Sequence, residues 1–281
     1  MKNYAKPRPL AWQARLPHRR HMDFRGRTVF ITGTARGIGQ GLAVALAEAD
    51  CMIIGCDLAP QPETKALVGP AYVELVGDVS DPGEAARLVA DAAEIGFSVL
   101  INNAGIAPSG DFAKTNFARW QAAIDVNVTG LMAVTHAALP HLLAQPAAKI
   151  VNMSSVAGCS GAPGVVAYCA SKHAVAGFTA ALDLELDGTH VSLMSVHPSM
   201  AKTRMIEGVP RQKLIPIVES DDVVRAILKG IAKDKRQIFV PGRMRWLVNV
   251  LPRVFPRLTR KVMLSDPNAR GWLTANKGLP K

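Results

Sequence analysis

A short apolar run that leads into a glycine-rich turn and then a helical segment limits the fold more than any other feature of this chain. Residues 27–32 are rich in β-branched and apolar side chains, and residues 33–39 read Gly-Thr-Ala-Arg-Gly-Ile-Gly. Residues 40–49 have the leucine and alanine content of a helix. A strand, a glycine turn and a helix in this order open a βαβ unit. The pattern therefore predicts an α/β fold.

The same alternation of strands and helices continues along the chain. Buried strands are predicted at residues 51–56, 71–76, 98–102, 149–153, 190–197 and 237–240, and helices at residues 80–94, 117–143, 165–186 and 221–232. Strands separated by helices predict a Rossmann-type, doubly wound, mostly parallel sheet of seven strands with helices on both faces. Asn127 and Gly130 are poor helix formers inside the longest predicted helix.

Charge divides the chain into three parts. Residues 1–21 carry six basic side chains and no acidic one, and residues 233–281 carry twelve basic and two acidic ones. The part between them is net acidic, so the pI of 9.8 does not indicate a nucleic-acid-binding protein. We expect a basic, disordered leader (residues 1–21), a catalytic domain (residues 22–242) and a basic amphipathic C-terminal extension (residues 243–281).

The remaining composition points to a reducing, cytoplasmic setting. Cys51 and Cys56 lie in an apolar run and are expected to be core residues, and the four cysteines have no metal-ligand spacing. No metal site is therefore expected. The leader lacks the apolar segment of a secretion signal, and no run of about 18 apolar residues predicts a membrane-spanning helix.

The glycine turn has the chemistry of a dinucleotide site. Glycines at 37 and 39 allow backbone amides to approach a pyrophosphate at a helix N-terminus. Asp57, at the end of the second strand, suits the adenosine ribose hydroxyls and disfavours a 2′-phosphate, although it could also be a turn residue before Pro60. Arg36 could instead pair with that phosphate. On this balance NAD is favoured over NADP.

Two further strand ends face the same cofactor. Asp78 and Val79 follow the third strand and suit the edge and face of an adenine ring, but Asp78 serves equally well as a helix-start acid. Residues 102–105, Asn-Asn-Ala-Gly, close the fourth strand and could line the floor of the cofactor site or satisfy the bent backbone. For both segments, the cofactor-binding and the purely structural interpretation stay open.

A phenol, an ammonium and two hydroxyls form the candidate reaction centre. Tyr168 and Lys172 share one face if their segment is helical, and Ser154 and Ser155 end the preceding strand. A free tyrosine has a pKa of about 10, too high for a base at neutral pH. A nearby ammonium and an oxidised nicotinamide would both lower that pKa. Such a group could exchange a proton with an alcohol or a carbonyl.

Taken together, these segments resemble the NAD(P)-dependent short-chain dehydrogenase/reductase family. The resemblance covers about residues 25–240 and is carried by Thr-Gly-x-x-x-Gly-Ile-Gly at 32–39, Asn-Asn-Ala-Gly at 102–105, Asn127, Ser-Ser-Val-Ala-Gly at 154–158 and Tyr-x-x-x-Lys at 168–172. It implies an oxidoreductase that transfers a hydride between a nicotinamide cofactor and a secondary alcohol or ketone. A homodimer or homotetramer is expected.

The resemblance also implies a role for each matching residue. Tyr168 is the expected general acid or base, Lys172 binds the nicotinamide ribose, Ser155 holds the substrate oxygen and Asn127 completes a proton relay through a water. The expected cofactor contacts are Gly33, Arg36, Gly37, Ile38, Gly39, Asp57, Asp78, Val79, Asn103, Ala104, Gly105, Tyr168, Lys172, Pro198 and Thr203. Ser199 departs from the family's usual Pro-Gly, which leaves the geometry of the following loop open.

Residues 199–219 and the C-terminal extension bear on the substrate. Residues 199–219 would form a lid rich in Met and Ile, which favours an apolar, steroid-, retinoid- or lipid-like substrate, although the same side chains could be core. Residues 243–264 interleave apolar and basic side chains, as segments that lie on a membrane surface do. The alternatives are packing over the lid and a subunit contact. A non-catalytic dinucleotide-binding regulator or scaffold is the alternative function.

Overall fold

The computed structural model describes residues 24–273, so the predicted leader and the last eight residues of the extension lie outside the described part. Its main feature is a sheet of seven strands, all parallel, in the order β3-β2-β1-β4-β5-β6-β9. The strands are β1 (Thr28–Thr32), β2 (Met52–Asp57), β3 (Tyr72–Val76), β4 (Val99–Asn102), β5 (Ala148–Met153), β6 (Val191–Pro198) and β9 (Gln237–Val240). The predicted doubly wound sheet is confirmed.

Helices cover both faces of this sheet. They are α1 (Gly37–Ala47), α2 (Pro62–Val68), α3 (Pro82–Ile95), α4 (Phe117–Ile124), α5 (Leu131–Leu143), α6 (Val166–Glu185), α7 (Ser220–Ala232), α8 (Leu251–Val254) and α9 (Pro256–Leu264). Side chains alternate along β1, so Val29 and Ile31 join a core with α1 and α7, whereas Phe30 joins a core with α3 and α5. Both faces of the sheet are therefore buried, which is why its strands read as continuous apolar runs.

The sequence pattern does not predict α2 or a small parallel ladder between β7 (Met200–Ala201) and β8 (Ile217–Val218). Both elements are too short to produce a periodic signal and depend on contacts distant in sequence. The residue before α2, Gln61, donates from Nε2 to the carbonyl of Leu75 at 2.8 Å. The ladder joins the two ends of the predicted lid, so residues 202–216 form a closed loop above the sheet.

The predicted helix at residues 117–143 contains a π-helical turn, Asp125–Gly130, between α4 and α5. Gly130 is required there because a Cβ atom would lie 2.6 Å from the carbonyl oxygen of Val79. By length and mean hydropathy (1.3), the stretch Phe117–Leu143 could cross a membrane. In this fold α5 packs on α3, β4 and β5, and α4 packs on α6, so the stretch serves as a helix of the core.

Candidate active site

The predicted site residues meet around one cavity of about 410 Å³ at the carboxyl ends of the strands. This is the edge where a doubly wound sheet forms its crevice, between the diverging strands β1 and β4. The glycine turn lines one part of the cavity, and the Tyr168 segment, the lid and the C-terminal extension line another. Only Gly39 and Asn127 of the predicted set lie behind the wall rather than on it.

The N-terminus of α1 is shaped to hold a phosphate group. No side chain of residues 24–273 caps it, and its first turn has no acidic residue, so its amides keep their hydrogen-bonding capacity and positive partial charge. Gly37 adopts a φ of +62°, and a Cβ at Gly39 would lie 1.9 Å from the carbonyl oxygen of Gly33. These features fit the pyrophosphate of a dinucleotide, because the turn must be tight and free of side chains.

Asp57 and Arg36 flank this turn. Asp57 accepts hydrogen bonds from the backbone N–H of Ala35 through Oδ2 at 2.9 Å and from that of Ala59 through Oδ1 at 3.3 Å. The carboxylate therefore braces the glycine turn while it lines the cavity. Arg36 is exposed and lines the cavity beside it. Both side chains therefore line the part of the cavity next to the glycine turn.

The third and fourth strand ends complete this half of the cavity. Asp78 caps its own turn, because Oδ1 accepts from the amide of Ser80 at 2.8 Å and from its hydroxyl at 2.7 Å. Its neighbour Val79 is buried and lines the cavity. The Nδ2 of Asn103 donates to the carbonyl of Gly33 at 2.9 Å, which ties the fourth strand end to the glycine turn. Asn103 thus acts through its side chain on the turn, while Ala104 and Gly105 line the floor.

Tyr168 and Ser155 face the cavity from α6 and from the 3-10 turn after β5. The Oγ of Ser155 donates to the carbonyl of Pro198 at 3.4 Å and accepts from the amide of Ala157 at 3.1 Å. Burial raises the pKa of Tyr168 to about 12, and the hydrogen-bonding side chain of Ser155 offsets part of that rise. The neighbouring Ser154 instead donates to the carbonyl of Lys172 at 2.9 Å and serves the packing of α6.

Lys172 is almost fully buried beneath the tyrosine. Its Nζ donates to the carbonyl of Met153 at 2.7 Å and lies 5.7 Å from the centre of the Tyr168 ring. Burial lowers the pKa of Lys172 to about 8. The expected lowering of the tyrosine pKa by this ammonium is therefore not seen in the protein alone, because desolvation disfavours the charged form of both groups.

Asn127 lies in the π-helical turn and is 1% exposed. Its Oδ1 accepts from the amide of Ile106 at 2.8 Å, and its Nδ2 donates to the carbonyl of Ile106 and to the Oγ of Ser171, both at 2.9 Å. A Cβ at Gly105 would lie 3.0 Å from its Oδ1 and 3.4 Å from Nζ of Lys172. Asn127 and Lys172 thus both lie next to Gly105. π-helical turns such as the one that carries Asn127 often occur at functional sites.

The loop after β6 approaches both halves of the cavity. Thr203 lies beside the glycine turn, with its Cγ2 3.4 Å from where a Cβ of Gly37 would be. Ser199 stands where the resemblance leads one to expect a glycine. Its Oγ donates to the carbonyl of Pro216 at 2.6 Å, and its N–H donates to the carbonyl of Val240 at 2.8 Å. The serine hydroxyl therefore ties the start of the lid to its end.

A buried histidine behind Ser155 is not among the site residues that the sequence predicts. His197 is fully buried, and its Nδ1 lies 3.1 Å from the carbonyl oxygen of Ser155. Its Nε2 lies 3.1 Å from Oγ of Ser195 and from Nε2 of Gln237. Burial lowers the pKa of His197 to about 4, so the ring is neutral and donates from Nδ1 to Ser155. In the sequence, only the position of His197 directly before Pro198 connects it with the predicted site.

The C-terminal extension has an inner and an outer face. Met244 and Val248 are buried and pack on Val156, while Met263 and Trp272 line the cavity. Packing over the lid, one of the alternatives left open by the sequence, is formed on the inner face, where Trp272 packs on Met200. The apolar residues of the outer face remain exposed. Their exposed set is Trp246, Leu251, Val254, Phe255, Leu258, Val262 and Leu264. Met263 and Trp272 are distant in sequence from the other cavity residues, so no local pattern indicated that they line the cavity.

Residues 27–214 match the family model described as short chain dehydrogenase. The chain belongs to the short-chain dehydrogenase family. Oxidoreductase UcpA of Escherichia coli K12 is 34% identical over 194 residues, which cover 66% of this chain and 74% of that protein. Estradiol 17-beta-dehydrogenase 11 of Rattus norvegicus is 33% identical over 254 residues, which cover 86% of this chain and 84% of that protein.

Solved structures of the family have the same fold. A short chain dehydrogenase from Mycobacterium paratuberculosis bound to NAD superposes with a TM-score of 0.69 at 27% identity, over 77% of this chain and 96% of that one. One from Burkholderia cenocepacia J2315 in complex with NADP has a TM-score of 0.76 at 24% identity, over 88% of this chain and all of that one. This short-chain dehydrogenase is accordingly an NAD(P)-dependent oxidoreductase that acts on CH–OH groups.

Proposed function

We propose that this short-chain dehydrogenase interconverts an apolar secondary alcohol and its ketone, with Asn127, Ser155, Tyr168 and Lys172 as the catalytic set. One observation supports the proposal: Tyr168 and Ser155 line the same cavity. The uncapped N-terminus of α1, suited to a phosphate, lies on one side of them, and apolar side chains line the other side. Bound NAD or NADP supplies the hydride acceptor for oxidation and the hydride donor for reduction.

The side chains then divide the proton chemistry between them. For oxidation, the O–H proton of the alcohol passes to the phenolate oxygen of Tyr168 as the carbon–oxygen double bond forms; for reduction, the phenol returns it. The Oγ of Ser155 donates to the substrate oxygen and stabilises charge that develops there. Lys172 adds a positive charge beneath the phenol, and the remaining protons of its ammonium can bind the nicotinamide ribose. Asn127 holds the backbone of Ile106 next to the lysine and would complete a proton relay through a water.

The apolar nature of the substrate rests on the side chains of the lid and the extension that line the cavity near Tyr168. Met200, Met205, Ile206 and Ile215 of the lid line the cavity, together with Trp272 of the extension. Such a lining favours a ligand with a large apolar body and one reacting oxygen. The relatives named as estradiol 17-beta-dehydrogenase 11 and 17-beta-hydroxysteroid dehydrogenase 13 support a steroid-like size class. NAD is the proposed cofactor, because the carboxylate of Asp57 lies beside the turn.

A substrate panel followed by nicotinamide absorbance tests this proposal. We expect turnover with bulky apolar secondary alcohols, a loss of about 100-fold or more in kcat for Tyr168→Phe, and a similar loss for Ser155→Ala. Ser154→Ala is the matched control, because the partner of that hydroxyl among the described residues is the backbone carbonyl of Lys172 in α6. Cofactor binding without turnover of any alcohol or ketone would instead indicate a non-catalytic dinucleotide-binding regulator.

The outer face of the extension supports contact with an anionic membrane surface. Seven apolar side chains between residues 246 and 264 are exposed, and the six basic residues between 243 and 261 are exposed with no acidic residue among them. Exposed apolar and basic groups together bind the boundary of anionic bilayers. In co-sedimentation we expect more protein on anionic than on neutral vesicles, and less after Phe255→Ala with Leu258→Ala. Equal binding of this variant and the parent protein would overturn the membrane contact.

A cytoplasmic homodimer or homotetramer is the proposed assembly. Phe117 at the start of α4, Met132 of α5 and Val166 at the start of α6 are apolar and exposed, although α4 and α6 pack against each other. A second copy is the simplest cover for this surface. Light scattering during gel filtration measures the mass directly, and a monomer at micromolar concentration would overturn this assignment.

A further inference from the structure

The end of the C-terminal extension returns to the cavity that Tyr168 faces. Trp272 is 8% exposed and packs with Val165, Cys169 and Met200 in a cluster that Tyr168 also joins. Its indole lines the cavity, as does Met263 at the end of α9. A tryptophan held in this way contributes a large, rigid apolar surface to the space that a ligand would occupy.

Hydrogen bonds fix this part of the extension to the lid. Asp266 accepts from the backbone N–H of Lys213 at 2.6 Å and, through its other oxygen, from that of Asn268 at 2.9 Å. The Nδ2 of Asn268 donates to the carbonyl of Arg211 at 2.7 Å. Asp266 is itself buried, so its carboxylate is a local anchor rather than a surface contact. The lid and the extension therefore form one cover.

Two glycines show how closely this cover fits the body. A Cβ at Gly271 would lie 2.3 Å from Cγ of Pro210, and a Cβ at Gly164 would lie 2.7 Å from the amide nitrogen of Leu273. Distances below 3 Å mean that any side chain at these positions must displace the lid or the extension. Trp272 follows Gly271 directly, so its position depends on this fit.

We propose that residues 263–273 close the substrate cavity and that Trp272 is a specificity-determining residue that limits the size of the apolar substrate. The inference rests on the proposed function, because it assigns the cavity to an alcohol or ketone. The indole occupies volume next to the Tyr168 ring that a larger substrate would need. Removal of the indole opens the cavity, so kcat/KM for bulky substrates rises. Small apolar substrates lose the contact that holds them over the phenol, so their kcat/KM falls.

Trp272→Ala tests the proposal in lipid-free buffer, with the exposed Trp246→Ala as the matched control. For a series of apolar secondary alcohols of increasing size, we expect the ratio of kcat/KM for the largest to that for the smallest to rise at least about tenfold in Trp272→Ala. The control should keep the parent ratio, and both variants should keep the parent Kd for NAD. The same ratio in Trp272→Ala and Trp246→Ala would overturn the proposal.

Gly271→Ala provides a second test if Trp272→Ala fails to fold. Its Cβ must displace Pro210, whereas a Cβ at Gly242, directly before the extension, meets no atom of residues 24–273 within 4 Å. We expect Gly271→Ala to shift the same size ratio and Gly242→Ala to leave it unchanged. An unshifted ratio in Gly271→Ala, in a protein that still binds NAD, counts against the cover. If the parent enzyme turns over no alcohol or ketone, the proposed function itself has failed.

Discussion

The ammonium of Lys172 donates a hydrogen bond to the backbone carbonyl of Met153 at 2.7 Å. This bond joins α6, which carries Tyr168, to the last residue of β5, two residues before Ser155. It holds Nζ at 5.7 Å from the centre of the tyrosine ring. The lysine therefore has a positioning role in addition to its charge, since its ammonium is fixed before any ligand arrives.

Replacement of this lysine separates its charge from its bulk. Lys172→Met keeps a long apolar stem but removes the ammonium, and we expect kcat to fall by about 100-fold or more because the phenol loses the adjacent positive charge. The Kd for the nicotinamide cofactor should also rise, since a ribose ligand is lost. Steady-state kinetics and a fluorescence titration measure the two effects. A parent-like kcat in a folded variant would remove Lys172 from the proton chemistry.

The pH dependence should differ between the two directions of the reaction. Burial raises the pKa of Tyr168 to about 12, so the phenol is protonated at neutral pH and is ready to act as the acid in ketone reduction. Oxidation needs the phenolate, so its kcat/KM should rise with pH between about pH 6 and pH 10, while that of reduction should not. Initial rates in both directions across this range provide the test. An oxidation rate that is flat in pH would mean that phenolate formation does not limit it.

The buried His197 predicts a loss of stability in acid. Its pKa is lowered from 6.5 to about 4 in the folded protein, so only the unfolded chain binds the proton between these values. Its contribution is complete above about pH 6.5 and is lost as the pH falls to about 4, by about 3 kcal/mol. Urea denaturation at stepped pH measures this slope. We expect His197→Gln to reduce the slope and the exposed His190→Gln to leave it unchanged; equal slopes in all three proteins would contradict the prediction.

The choice between NAD and NADP should depend on the charge of Asp57. Asp57→Asn removes the negative charge but keeps an oxygen that can accept from the amide of Ala35, so the glycine turn should stay in place. We expect the preference for NAD over NADP to fall at least about tenfold, because the carboxylate no longer repels a 2′-phosphate. Arg36→Ala should move the preference the opposite way. Titration of each variant with both cofactors decides the matter, and unchanged ratios would assign Asp57 to the turn alone.

Much of the fold and the chemical centre was predictable from local patterns. Both cores draw on alternate residues of β1, and the apolar strands, the glycine turn and the intervening helices dictate a parallel sheet before any contact is known. Tyr168 and Lys172 lie on α6 as their spacing predicts. Ser155 could be preferred over Ser154 only through the resemblance, and the packing bond of Ser154 supports that choice.

Long-range contacts decided the rest. The π-helical turn at Asn127 has no signature beyond two poor helix formers, because it arises where Gly130 meets the backbone of Val79. The raised pKa of Tyr168 reflects burial, which a spacing rule cannot supply. His197 lies behind Ser155 because β5 and β6 are paired in the sheet.

The sequence by itself determined the order of strands and helices, the glycine turn before α1 and the placement of Tyr168 and Lys172 on one helix, because each depends on residues that are neighbours along the chain. The tertiary structure alone decided which of these groups is buried and what encloses them. Trp272 lies more than one hundred residues from Tyr168 in sequence, yet both face one cavity. That enclosure depends on packing and solvent exclusion across the whole chain, and no local pattern encodes it.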